Sequence, residues 1–491
     1  MQHRSSRIDG LAIFAAAAFA VGIVTIAALG RVGAPDGLVR ALGPMVVLFG
    51  VAIVGLGARN ADLPTFMAAR RRLPALYGAL NVAAVAAGIA FCLGLQSTSG
   101  ADPPWLGVFA GIGLGVVGYG PLLRRFGATS VTDVIATRFS RAPARLFSAA
   151  AIWTAAALTA LAGYRVAVAE AQALIAPNRA VAEAIVAIVL GLGAAPGGLA
   201  GVVWCAAASA GALTMIVGLG GVAGWRLGMA LPDPYVALAP ALAGLSSPDS
   251  LMAGLAAAIA AGGFFAFEPA SIASPDVPTA AKAGLGGFVL CLALAGVASA
   301  ANSVFPIDGD AGAANPVAIS LIGAAALAGS LALARAGVHV SSRAFGVALA
   351  DRPPPYPTLA SERLARMRAA QLAVVAGCVA FDRQGFVGSR AALLGAMALS
   401  LAFTTPIVAL AAIGRAGPAA ASAGALAAIA AAVYFFAASP TGLPPAGALF
   451  ERALAAAVAA FIVGSAVCLA SPRRGPPPTP GSFDPFDGAS G

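Results

Sequence analysis

Four ionisable residues stand inside long apolar stretches, where a charge is expensive: Arg165, Glu170, Arg335 and His339. A charged side chain at mid-membrane costs about 2.5–3.5 kcal/mol on insertion scales, so each must face the bundle interior or water. Arg335 and His339 are four residues apart and share one face of a helix. A guanidinium fork holds carboxylates, and an imidazole titrates near neutrality and can relay a proton. The competing reading of this pair is a structural polar contact. Tyr164 and Arg165 precede Glu170 on a second stretch. Arg165 and Glu170 can neutralise one another, bond across helices or line a solute path. Asn81, Thr404 and Thr405 are polar positions of the kind that either glue membrane helices together or touch a ligand. No phosphate-cradling glycine loop, metal-ligand cluster or nucleophile–base pair accompanies them, so the pattern points away from an enzyme. No cofactor is implied. The five cysteines, Cys92, Cys205, Cys291, Cys378 and Cys468, fall singly in apolar runs without metal or disulfide spacing.

The elements that must position these groups are membrane helices. The chain has 491 residues, 60% hydrophobic and 10% charged, with a mean hydropathy of +0.91. A soluble domain carries about 25% charged residues, so this chain lacks the polar surface to face water. Apolar runs of about 20 residues, the length that spans a bilayer as helix, recur throughout. They predict fourteen helices, near 10–30, 41–58, 74–98, 104–123, 145–176, 180–195, 199–224, 249–268, 281–302, 315–345, 364–381, 390–414, 417–437 and 449–471. Alanine-rich composition favours helix everywhere, and the alternating ten-residue segments of a β-barrel are missing.

The net charge of +10 does not signal nucleic acid. The basic residues lie between apolar runs, and no basic–aromatic platform is present. With the N-terminus inside, 20 of the 29 basic residues fall on the cytoplasmic side and seven outside, with Arg165 and Arg335 inside helices. This is the positive-inside bias, and it predicts an inner-membrane protein with both termini cytoplasmic and the lipid bilayer as its surroundings. The first apolar stretch is long for a signal sequence and reads as a retained helix. The segment Arg352-Pro353-Pro354-Pro355-Tyr356-Pro357 and the tail from Arg473, rich in Pro, Gly and Ser, lack membrane character, and the tail reads as disordered.

Five segments carry a family resemblance. The stretch Leu123-Arg124-Arg125-Phe126-Gly127-Ala128-Thr129-Ser130-Val131-Thr132-Asp133-Val134-Ile135-Ala136-Thr137-Arg138-Phe139 resembles the loop after the second core helix of the sodium/solute symporter family. Ser130 is placed to cap a short helix, with Asp133 in its first turn. Arg70-Arg71-Arg72-Leu73-Pro74 resembles the family's lead-in to the first core helix. Gly197-Gly198-Leu199 with Trp204, Ser274-Pro275-Asp276-Val277 with Lys282, and Ala402-Phe403 with Pro406 follow in family order. The likeness covers about residues 45–435, and is nearest to the cation/monocarboxylate, acetate-type branch.

The resemblance implies an all-α membrane fold with a core of two inverted five-helix repeats, about 74–224 and 249–414, within a core of 74–414. Residues 1–40 then form an extra helix, 41–73 a peripheral helix and basic loop, 415–472 peripheral C-terminal helices and 473–491 the tail. Such folds hold solute and ion near the midplane at broken helices. The candidate breaks are Gly88 and Gly262-Gly263. By alignment, the family's sodium site uses backbone carbonyls near Ala84 and Ala87. Its hydroxyl half is missing, because the family's Ser-Thr-x-Asp reads Ala332-Leu333-Ala334-Arg335 here. A hard cation needs those oxygens, so Arg335 is expected to act as a tethered positive charge in sodium's place. The functional expectation is a secondary transporter of a small organic solute, a monocarboxylate by the resemblance. A non-transporting relative serving as sensor or as partner of a small membrane protein is the second reading. An unrelated polytopic protein, such as a membrane enzyme, is the third.

Overall fold

Residues whose apolar length exceeds what a soluble core can hide form helices throughout the described parts of the chain. The computed structural model describes residues 3–60, 62–93, 103–128, 130–139, 142–226, 248–304, 315–345, 360–385, 387–413, 416–437 and 445–471. The Arg352–Pro357 stretch, the tail from Arg473, Gly94, Leu95, Thr129 and the side chains of Asp133 and Arg138 lie outside this description.

In chain order the helices are α1 (His3–Val32), α2 (Asp36–Gly57), α3 (Leu63–Ala68), α4 (Ala75–Leu93), α5 (Pro103–Leu114), α6 (Gly120–Arg125), α7 (Val131–Arg138), α8 (Ala142–Leu174), α9 (Arg179–Ala194) and α10 (Leu199–Arg226). They continue as α11 (Pro248–Gly262), α12 (Glu268–Ile272), α13 (Val277–Val304), α14 (Pro316–Arg343), α15 (Ala360–Gln384), α16 (Ser389–Leu399), α17 (Thr405–Ala412), α18 (Pro418–Ala437) and α19 (Ala446–Ala470). One π-helical turn, Gly115–Tyr119, joins α5 to α6, and another, Ser400–Thr404, joins α16 to α17. No strand occurs among the described residues.

Thirteen helices among the described residues are long and apolar enough to cross a membrane. The expected fourteenth, α9, is present with 16 residues, about 24 Å at 1.5 Å per residue. That falls short of the roughly 30 Å hydrocarbon core. Local chemistry sets several helix starts. Asn178 caps α9 by accepting the Ala180 N–H at 3.0 Å, and Asn315 caps α14 by accepting that of Val317 at 2.9 Å.

The core follows the packing that two inverted repeats require. Exchanging α4 with α11, α5 with α13, α8 with α14 and α10 with α16 maps the α4–α13 contact onto α11–α5. It also maps α8–α16 onto α14–α10. All four contacts exist, and the self-mapped pair, α8 with α14, makes the most extensive helix contact among the described residues. Small residues allow that approach. A side chain at Gly163 would strike the Ser330 carbonyl, and one at Gly337 the Ala156 carbonyl. In lipid, where burial of apolar surface gives little drive between helices, such close van der Waals contact is what holds them. Outward residues such as Phe49, Leu76, Ile188, Tyr434 and Leu469 are apolar and exposed, as a lipid-facing surface demands.

Candidate functional site

Arg335 lies fully buried on α14. None of its guanidinium nitrogens has a hydrogen-bond partner among the described residues, and it forms no ion pair. Room for it comes from Gly193 at the end of α9, where any Cβ would overlap Arg335 Nε. Cys205 of α10 lies beside it, with its Sγ 3.5 Å from the Val51 carbonyl. Two further buried polar groups on adjoining helices lack partners: both amide atoms of Asn81 on α4 and the hydroxyl of Ser209 on α10. Helices α4, α10 and α14 meet through Ala84, Ala206, Ala210 and Ala332, side chains too small to fill the contact with anything but backbone. Each buried unpaired polar group costs about 1–3 kcal/mol, and more when charged. Arg335, Asn81 and Ser209 carry that cost on three helices that pack against one another.

Along the same face of α14, basic side chains recur every helical turn. His339 Nδ1 is 3.4 Å from Gln371 Nε2 of α15, and Arg343 Nη1 donates to the Met67 carbonyl at 3.0 Å. Arg343 is buried in the last turn of α14.

Of the alternatives for Arg165, bonding across helices is the one found, and neutralisation by Glu170 is not. Arg165 Nε donates to Asp382 Oδ1 at 2.6 Å, across 217 residues. Asp382 also takes Arg179 Nη2 at 3.0 Å, and Glu183 takes Arg179 Nε at 3.1 Å and Arg383 Nε at 2.8 Å. The Tyr164 hydroxyl donates to the Glu183 carbonyl at 3.2 Å. Three arginines and two buried carboxylates therefore lock α8, α9 and α15 together. Glu170 points elsewhere. It is half-buried near Gly323 of α14, with no ion pair or hydrogen bond among the described residues. Five residues on a helix subtend about 140° from one another, so Arg165 and Glu170 cannot face one partner.

The expected break at Gly88 is also corrected. Helix α4 runs unbroken from Ala75 to Leu93, and Gly88 is a crossing point where a Cβ would strike Gly329 and Leu333 of α14. The carbonyls of Ala84 and Ala87 consequently point along a regular helix, engaged in its own ladder. At the second candidate, the chain does leave the helix. Helix α11 ends at Gly262, Phe264 is extended (φ −77°, ψ 120°), and α12 begins at Glu268. The π-helical turn of the facing span receives this break: Ser400 Oγ donates to the Gly263 carbonyl at 3.1 Å, and Thr405 Oγ1 leaves no space for a Cβ on Gly263. Thr404, buried in the same turn, has an unpartnered hydroxyl. Glu268, buried just past the break, was missed by the sequence reading. Its Oε2 takes the Val131 N–H at 3.4 Å. An acid near the end of an apolar run was the available signal.

At the Arg-rich face the separated sequence motifs come together. Arg71 Nη2 donates to the Gly127 carbonyl at 2.5 Å, Arg124 Nε to that of Ser274 at 2.8 Å, and the Leu73 N–H to that of Ala273 at 2.9 Å. Ser130 caps α7 by accepting the Thr132 N–H at 3.2 Å. Ala69, Arg70 and Arg71 all hold left-handed backbone, φ 48–52°, a conformation costing about 1–2 kcal/mol per residue. The Arg70–Asp62 ion pair at 2.7 Å clasps the segment. Gly198, with φ +56°, lets the chain turn into α10 against the Phe66 ring, over which Arg368 stacks at 5.6 Å.

No family model matches the chain, and no curated protein matches it. Among solved structures, the chain is similar to a Na+-coupled sialic acid symporter in its substrate-bound, outward-open state, at 14% identity and a TM-score of 0.68. The match covers 88% of this chain and 98% of that one. The chain is thus a multi-pass helical membrane protein with the fold of a sodium-coupled symporter.

Proposed function

We propose that the protein is a secondary transporter that moves a small organic solute, a monocarboxylate, across the inner membrane, with both termini cytoplasmic. The observation that carries this reading is the buried guanidinium of Arg335, unpaired at the junction of α9, α10 and α14. In low dielectric, a cation without an anion is strongly unfavourable. A solute carboxylate would supply two parallel N–H···O bonds and neutralise the charge. Asn81 and Ser209 on the flanking helices offer further bonds to the rest of a small solute.

Arg335 also stands where the family resemblance places a coupling sodium ion. Ala332 and Leu333 offer no hydroxyl, and the carbonyls of Ala84 and Ala87 are committed to α4. A fixed positive charge there repels a second cation by several kcal/mol at an effective dielectric near 20. Transport is accordingly sodium-independent, coupled to protons or to exchange. His339 and Glu170 are the side chains that can carry the proton. Thr404, with its unpartnered hydroxyl, is a further polar group that the solute could meet.

Uptake of labelled acetate and related small acids into proteoliposomes, under imposed sodium and proton gradients, tests this. Uptake driven by protons, indifferent to sodium and lost in Arg335→Ala is the expected result. A strict sodium requirement overturns it. The unbroken α4 and the missing hydroxyls favour one second reading, a non-transporting relative acting as sensor or with a small membrane partner. Absence of uptake for every acid, together with a co-purifying small membrane protein, selects it.

A further inference from the structure

A cavity of about 240 Å³ lies outside the repeat interface, enclosed by α1, α2, α4 and α10. Its walls are almost wholly apolar, with Phe19, Val54, Leu80 and Ala208 among them. All four helices contribute the part that lies toward the Arg-rich face: the first two turns of the α1 membrane span Ile13–Val32, the last turn of α2, the first turns of α4 and the first half of α10. The cavity therefore belongs to one leaflet. Exposed Ile13 and Gly57 stand at its rim, so it opens to the surrounding hydrocarbon. The Tyr77–Trp204 ring pair, with centroids 4.4 Å apart, closes its wall near the interface, the depth where such amphipathic rings collect. Next to the lining residue Ala58, Arg59 is exposed and makes no ion pair or side-chain hydrogen bond among the described residues. Arg72, before α4, is likewise exposed and unpaired.

We infer that this cavity is a binding site for one acyl chain of an anionic phospholipid, whose phosphate is held at the surface by Arg59. An apolar slot open to the bilayer takes a hydrocarbon chain, and a cation at its mouth selects a negative headgroup. The bound lipid would cement α1, which otherwise touches the bundle through few buried residues among those described (Ala15, Phe19, Gly22 and Ile26), to the core. This inference does not depend on what is transported.

The test uses the full chain in vesicles containing a phosphatidylglycerol with a photoreactive diazirine at mid-chain, and the phosphatidylcholine analogue in parallel. Labelled peptides are mapped by mass spectrometry. The expected result is labelling of α1 and α10 peptides around Phe19 and Trp204. It should be lost in Gly211→Phe, since Gly211 lines the cavity and a Cβ there meets nothing within 4 Å. Arg59→Gln, an exposed change, should lower the preference for the anionic lipid about fivefold, as one interfacial cation implies. Unfolding midpoints of both variants control for folding. If Gly211→Phe misfolds, competition of the label by unlabelled phosphatidylglycerol in the wild type decides. Labelling that is spread over all lipid-facing helices, or persists in folded Gly211→Phe, or fails to be competed, overturns the site. Equal labelling by both lipids overturns the role of Arg59.

Discussion

Replacing Arg335 by methionine should make the protein more stable and, on the proposed function, inactive. Helix α14 has 28 residues, about 42 Å at 1.5 Å each. Arg335 is its twentieth residue, roughly 12 Å from the end at Arg343. With the helix centred in a core about 30 Å thick, the guanidinium lies within the hydrocarbon layer. Being fully buried, it cannot snorkel to the interface. The charge costs about 2.5–3.5 kcal/mol on insertion scales, and no described residue offsets it. Methionine has similar length, adapts to irregular gaps and carries no charge, so the gain should be about 2–3 kcal/mol, less any repacking cost. Equilibrium unfolding in mixed micelles measures the first quantity and proteoliposome uptake the second. Arg335→Lys separates charge from geometry: it keeps the penalty but loses the planar fork, so stability should stay near wild type while uptake falls. A folded Arg335→Met protein that is 2 kcal/mol or more less stable than wild type would refute the reasoning, because it would mean that the guanidinium is satisfied in the native state.

Four further outcomes are expected. Asp382→Leu should cost about 3–5 kcal/mol by leaving the largely desolvated Arg165, only 14% exposed, uncompensated, and Arg165→Met/Asp382→Leu should recover much of that; additive single and double variants would show that the pair is not coupled. Gly88→Ala should destabilise by about 1–3 kcal/mol through overpacking against Gly329 and Leu333, whereas a glycine serving only as a hinge would lose uptake with stability unchanged. Ser130→Ala should cost about 1 kcal/mol by uncapping α7, read as a lowered unfolding midpoint. Partial burial opposes ionisation of Asp62, but hydrogen bonds from Thr65 and Arg70 outweigh it and hold its carboxyl below the usual range. Its contribution is therefore present above the unfolded value near 4 and lost as pH falls through the folded one. Asp62→Asn should match wild type in strong acid and fall slightly behind at neutral pH.

Much of the architecture was legible in the chain because its causes are local. A run of about 20 apolar residues must cross the bilayer as helix, and each of the fourteen expected spans overlaps a helix among the described residues, the one at 249–268 with a break after Gly262. The Ser130 cap needs only its neighbour two residues on, and the Arg-rich motifs were recognisable piece by piece. What could not be read was which helix faces which. Arg165 had a carboxylate five residues away, yet its partner lies 217 residues on, because helix rotation turns Glu170 away and repeat packing brings α15 alongside. Gly88 and Gly262 look alike in sequence. One became a crossing point because Gly329 sits opposite it, and the other a break because the Ser400 hydroxyl is at hand for the freed Gly263 carbonyl. The sequence by itself thus determined that this is a polytopic helical membrane protein and where its unusual charges lie. Only the tertiary structure decided which of those charges are paired and which, above all Arg335, are left to seek a partner, since pairing depends on the faces that the inverted repeats bring together.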